Sequence, residues 1–165
     1  MKKTGYLGCV VALALAMWPL SRTVAASRCY PNSRYTVLSG GMVQDTLTGL
    51  VWQQDGSGTR AGCSGSVNPT CTWAEAKAYC AGLTLGGLSG WHLPTYKELS
   101  SIVDFTVTSP GPAINQTAFP NTPATTFWTS SPYAGSFGSA WLVYFDLGTS
   151  FNSVVGGYGW VRCVR

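Results

Sequence analysis

An apolar leader followed by five cysteines constrains this chain more tightly than any other feature. Lys2 and Lys3 form a charged start, Cys9 to Leu20 is an almost unbroken apolar stretch, and Val24-Ala25-Ala26 supplies small residues for cleavage before Ser27. Residues 1–26 therefore read as a signal peptide, which leaves 27–165 as a single exported domain, periplasmic or extracellular. The leader's apolar run is shorter than the roughly 20 residues a spanning helix needs, and no later run is longer, so no membrane span is expected. Of the six cysteines, Cys9 leaves with the leader. Cys29, Cys63, Cys71, Cys80 and Cys163 then face an oxidising compartment, where disulfides are the default state. Cys63 and Cys71 lie in one polar loop and could staple it, and Cys80 and Cys163 could tie a helix to the last strand. Cys29 is the odd one: free, paired to another chain, or part of a different connectivity.

The leader also distorts the charge. The full chain carries +4, but Lys2, Lys3 and Arg22 account for three of its ten basic residues, so the exported part has seven against six acidic residues. The seven (Arg28, Arg34, Arg60, Lys77, Lys97, Arg162 and Arg165) are scattered, with no basic run, which argues against nucleic acid as a partner. An anionic ligand would need a trimer to gather Lys97, Arg162 and Arg165 into one patch. Neutral recognition through aromatic side chains fits the composition better.

Twenty glycines and nine prolines, with only 10% charged residues, point away from long helices, coiled coils and acidic disordered tails. Residues 34–53 alternate and turn like hairpins, with turns at Ser39-Gly40-Gly41 and at Asp45 to Gly49. Residues 55–70 read as a surface loop. Two capping boxes, Thr72-Trp73-Ala74-Glu75 and Thr95-Tyr96-Lys97-Glu98, open two short helices. The inward stripe of the first is Trp73, Ala76 and Cys80, and that of the second is Leu99, Ile102 and Val103. A long polar connection over 106–125 precedes strand-like pieces at 127–130, 140–146, 149–155 and 158–165. Alternation sets Trp141, Val143 and Phe145 against Leu142, Tyr144 and Asp146, with the latter face expected to meet water. In the last piece Val161 and Cys163 share a face, and Trp160 and Arg162 point the other way.

Catalytic patterns are missing from this sequence. There is no GxSxG, HExxH, P-loop or GxGxxG ahead of a helix. His92, the only histidine, sits at a turn in Trp91-His92-Leu93-Pro94 and reads as structural. Glu75 and Glu98 are committed to capping, Asp45 to a turn, and Asp104 lies near a helix end. Asp55 and Asp146 remain as a weak acid/base pair. No calcium loop or zinc spacing is present, so no metal, no cofactor and no catalytic residue are assigned. What remains is an exposed inventory of flat rings with polar neighbours, suited to sugar or protein contacts: Tyr133, Tyr144, Asp146, Asn152, Tyr158 and Trp160.

The order of these signals carries a resemblance. Asp45-Thr46-Leu47-Thr48-Gly49-Leu50-Val51-Trp52-Gln53 is followed by Thr72-Trp73-Ala74-Glu75-Ala76, Leu85-Gly86-Gly87 and Trp91 to Leu99. Phe119-Pro120-Asn121-Thr122-Pro123, Phe127-Trp128-Thr129-Ser130-Ser131 and Val161-Arg162-Cys163-Val164-Arg165 complete the series. Together, over residues 34–165, they resemble the Lcl C-terminal domain family, named for the end domain of a collagen-like bacterial adhesin. The resemblance implies an α+β, C-type-lectin-like fold: two helices packed on a twisted antiparallel sheet, with a disulfide from the first helix to the last strand, here Cys80 to Cys163. It further implies kinship with a trimeric domain that binds sulfated glycosaminoglycans, with formylglycine-generating enzymes, and with receptor-binding proteins of diversity-generating retroelements. Two departures stand out: His92 replaces the family's usual Arg, and the EPN and WND motifs of calcium-dependent lectins are missing.

The expected function is thus a secreted, non-catalytic, lectin-like module that binds a glycan or a cell-surface protein in adhesion, with assembly into a homo-oligomer left open. The competing readings are a structural or assembly component of the bacterial envelope, linked through Cys29, and a formylglycine-type oxidase. The last would require a reactive cysteine pair in a cleft, and a Cys80–Cys163 bond counts against it.

Overall fold

The computed structural model describes residues 34–66 and 70–165, so the leader over 1–26 and Cys29 lie outside the described residues. Two three-stranded antiparallel sheets and two short helices make up the α+β domain. Strands β1 (Tyr35–Leu38), β2 (Met42–Asp45) and β3 (Val51–Gln53) form the first sheet. Helices α1 (Trp73–Gly82) and α2 (Tyr96–Ser101) follow, and β4 (Thr126–Pro132), β5 (Ser139–Tyr144) and β6 (Thr149–Val154) form the second sheet. The expectation of one twisted sheet is corrected to two, and of a last strand over 158–165 to a series of single bridges.

Those bridges join the sheets. Trp160 lies parallel to Phe127 of β4, and its N–H donates to the Thr126 carbonyl at 2.9 Å. A few residues on, Cys163 and Arg165 bond to Gln53 and Val51 of β3, while Val164 exchanges both backbone bonds with His92. The segment crosses from one sheet to the other, so it never runs beside either partner long enough to count as a strand.

Both capping boxes form, and each loss of such a cap typically costs about 1 kcal/mol. The Thr72 hydroxyl accepts from the Glu75 amide and the Thr95 hydroxyl from the Glu98 amide, with each glutamate reaching back to its cap. Ala76 and Cys80 of α1 are buried, as is Leu99 of α2, while Trp73 is only half-buried. Ile102 and Val103 are buried just beyond the end of α2.

Successive residues of β4, β5 and the position just past β5 feed two different cores. Phe127, Val143 and Phe145 pack with Val43, Leu99 and Val164, whereas Trp128, Ala140 and Leu142 pack with Ala76, Cys80, Val161 and Cys163. The helices accordingly cover opposite faces of the second sheet. Expecting the face of Leu142, Tyr144 and Asp146 to meet water was therefore incorrect, since Leu142 is buried and the other two are half-buried. Alternation separates two faces but says nothing about which is wet when both are covered.

Asp45 does more than close a turn. Its carboxylate accepts the Leu47 N–H at 3.0 Å and pairs with Arg34 in a buried ion pair. Burial works to raise the Asp45 carboxyl, but the hydrogen bonds from Arg34 and Leu47 outweigh it and hold the group below its ordinary value. At Glu98, burial is likewise overcome by the Thr95 amide and hydroxyl and by His92. A carboxyl lowered in the folded state adds stability above its unfolded value that is lost as pH falls through the folded one. The urea midpoint is therefore expected to drop between about pH 5 and about pH 3, with a shallower drop in Asp45→Asn. An equally steep drop in that variant would remove Asp45 from the account.

Candidate functional site

Asp146 is the only charged residue between Phe105 and Val161, a stretch that contains the whole second sheet. On this neutral ground the chain builds a row of aromatic rings. Trp141 on β5 faces Asn152 on β6, and Val143 faces Ser150, so these four side chains share one face. α2 contributes Tyr96, whose ring lies 5.4 Å from Trp141 and whose hydroxyl is 3.1 Å from the Ser150 hydroxyl. Ser131 anchors that helix start by accepting the Tyr96 N–H at 2.9 Å. Tyr133, at the end of β4, meets Trp141 edge-on at 5.0 Å. Its ring folds back over the hairpin tip, which requires glycine at 135, because a Cβ there would lie 2.7 Å from the phenol. All three rings are half-buried, and Asn152 is exposed beside them.

The row ends at a groove. A cavity of about 290 Å³ is lined by Trp73, Pro132, Tyr133, Phe137 and Val155, with the serines of the hairpin at its rim. Phe137 projects entirely into solvent at the hairpin tip. Trp73 is fixed by its indole N–H, which donates to the Thr129 carbonyl at 2.7 Å, and the Lys77 ammonium lies 3.4 Å from the centre of its ring. Aromatic faces with a few hydroxyl and amide groups can stack on the apolar side of a sugar or hold an aromatic side chain.

The residues expected from sequence do not form one cluster. Tyr133 and Asn152 belong to the aromatic row. Tyr144 and Asp146 sit together past the other face, joined by a phenol–carboxylate hydrogen bond of 3.2 Å. Partial burial and the Asp146 carboxylate raise the Tyr144 phenol above its ordinary value, and the other Asp146 oxygen accepts the Gly111 N–H at 2.9 Å. Tyr158 is exposed beside the 63–71 loop, its hydroxyl 3.4 Å from that of Ser64. Trp160 packs against the core, 6.2 Å from Phe127. Sequence reasoning missed Tyr96, Trp141, Trp73 and Phe137. Tyr96 and Trp73 were hidden inside capping boxes, and Trp141 inside an alternation that assigned it inward.

Disulfides Cys63–Cys71 and Cys80–Cys163 tie the domain. Among the described residues no group of three or more His, Cys, Asp or Glu side chains is placed to hold a metal, and no helix is long and apolar enough to cross a membrane. His92 is exposed at its turn, with a ring nitrogen 3.4 Å from Glu98. The cationic patch of Lys97, Arg162 and Arg165 does not form within one copy, because Arg162 is fully buried.

Fold and site together define a disulfide-tied α+β domain with a neutral, aromatic-rich face. The family model for the Lcl C-terminal domain matches residues 41–165, and the chain belongs to that family. Among curated proteins none matches the chain.

Proposed function

We propose that the chain is an exported, non-catalytic binding module with a C-type-lectin-like arrangement, recognising a glycan or a protein on a cell surface in adhesion. The observation that carries this reading is the half-exposed row of Tyr96, Trp141 and Tyr133 opening onto the Trp73 groove. Membership of the Lcl C-terminal domain family supports it. Two disulfides fit export to the periplasm or beyond, as the leader suggests.

A binding role also agrees with how the acids are used. Asp45 pairs with Arg34, Asp55 accepts from Ser57, Glu75 and Glu98 cap helices, Asp104 accepts from Thr106, and Asp146 accepts from Gly111 and Tyr144. Each carboxylate is held by its own neighbours instead of converging with another. Against an oxidase, both described cysteine pairs are oxidised, and Cys71, Cys80 and Cys163 are wholly buried.

The test uses the fluorescently labelled domain on intact cells, with binding read by flow cytometry before and after glycosidase or protease treatment. Tyr133→Ala and Trp141→Ala, both checked for an unchanged melting transition, are expected to lower binding about tenfold, the scale of one lost aromatic contact. Glycosidase sensitivity assigns a glycan, and protease sensitivity alone assigns a protein. Undiminished binding by both variants would overturn the proposed face.

A further inference from the structure

We propose that the ligand of the aromatic face is an uncharged sugar chain, held by ring stacking and hydroxyl hydrogen bonds without ion pairing. The proposal rests on the binding-module reading above and adds the chemistry of the ligand. Its first support is where the charges are not. From Phe105 to Val161 the chain has one charge, Asp146, and that charge is negative. An anionic polymer approaching this half of the domain would meet no cation from it and one carboxylate.

The cations elsewhere are mostly occupied. Arg34 is buried in its ion pair, and Arg60 is buried against the carbonyls of Asp55 and Val161. Arg162 is enclosed between Phe119 and Phe127. Lys77 lies over the Trp73 ring, and the Arg165 side chain donates to the Ser89 carbonyl. Lys97, in the first turn of α2, is exposed, as are Arg165 and Lys77, whose ring contact leaves its charge in place. Among the described residues, three such scattered cations offer a sulfated or uronate-rich chain little that salt would not screen, since exposed charges lose their reach within about 10 Å at ordinary ionic strength.

The second support is what the face does offer. Rings suit the C–H side of a pyranose, and the groups beside them suit its hydroxyls. Ser131 and Ser150 each carry one donor and two acceptor sites, and the exposed Asn152 carboxamide both donates and accepts. Neutral bidentate groups of this kind match sugar hydroxyls, and none of them compensates a charge.

The experiment is an array of neutral, sialylated and sulfated glycans, read at about 50 mM and about 500 mM sodium chloride. Neutral glycans are expected to bind, with signals that differ by less than about twofold between the two salts. Asn152→Ala, an exposed position whose change leaves the core intact, is expected to weaken those signals. A Lys97→Gln, Arg165→Gln double variant is expected to retain them. Binding confined to sulfated or sialylated glycans, fading at high salt or in the lysine–arginine variant, would overturn the neutral-ligand proposal and leave the binding module standing. A blank array at both salts, with cell binding intact and protease-sensitive, would overturn the sugar ligand and point to a protein. A blank array together with no cell binding would overturn both.

Discussion

Replacing Cys80 and Cys163 together by alanine is expected to lower the unfolding free energy by about 4.5 kcal/mol, against about 2.5 kcal/mol for Cys63 and Cys71. The difference comes from loop length: the first pair is separated by 83 residues and the second by 8. A longer closed loop removes more freedom from the unfolded chain. The architecture points the same way. Cys163 lies in the segment that bonds to β3 and, through Trp160, to β4, so its link to α1 fastens a helix to the seam between the two sheets. Cys63–Cys71 closes only a local loop, one that already carries the Gly65 to Thr70 backbone bond. In melting temperature the losses correspond to drops of about 15 °C and about 8 °C for a domain of this size. Guanidinium unfolding of both double variants checks the ranking. An equal or larger loss for the local pair would mean that loop closure is not the main contribution of these disulfides.

Much of the local structure was legible because it is written in short-range chemistry. Thr72 with Glu75 and Thr95 with Glu98 need only three residues' spacing to cap a helix, and both helices begin there. The first hairpin follows from Gly40 and Gly41, whose φ values of 77° suit a turn that other residues resist. What could not be read is what depends on the far side of the domain. Leu142 and Val143 look alike in sequence, yet they enter different cores because α1 covers one face of the sheet and α2 the other. The segment from Trp160 to Arg165 alternates like a strand, and its two faces were separated correctly. Its pairing with two sheets depends on their relative placement, which no local pattern encodes.

The candidate site was less legible for a related reason. A flat ring reads as exposed when it stands near glycine and serine, which selected Tyr158 and Trp160. Trp160 is nevertheless half-buried against Phe127, while Trp141, placed inward by alternation, is half-open beneath Tyr96 and Tyr133. Which rings form a row is decided by the β5–β6 register and by the position of α2. The near-absence of charge from 105–161, broken by Asp146 alone, needed neither, and it is the sequence feature that most directly describes the face.

Exchanging Arg162 for methionine is expected to change stability by less than about 1 kcal/mol, whereas exchanging it for alanine costs about 3 kcal/mol. Arg162 is wholly buried, and no carboxylate pairs with it among the described residues. One terminal nitrogen bonds to the Thr122 hydroxyl at 2.7 Å and more weakly to the Gln54 carbonyl at 3.3 Å, while Nε and the other terminal nitrogen have no partner. Burial, with the like charge of Arg60, pushes the guanidinium well below its ordinary value, to about 9. Because both folded and unfolded chains are protonated well below that value, the cost of burying the charge is present in full at about pH 7 and would be relieved only above the folded value. That cost is several kcal/mol. Against it stand the Phe119 and Phe127 rings, 4.8 Å and 5.5 Å away, which can return up to about 2 kcal/mol each when dry. The charged hydrogen bond to Thr122 adds about 2 kcal/mol. The terms nearly cancel, so the charge contributes little net stability and the side chain's volume contributes most. Methionine keeps that volume and places a sulfur against the rings, whereas alanine leaves a hole beneath Gly56, a position where a Cβ would already come within 2.8 Å of the guanidinium. Urea unfolding of the two variants decides the matter. If methionine is as damaging as alanine, the guanidinium's contacts hold this core together and its volume does not.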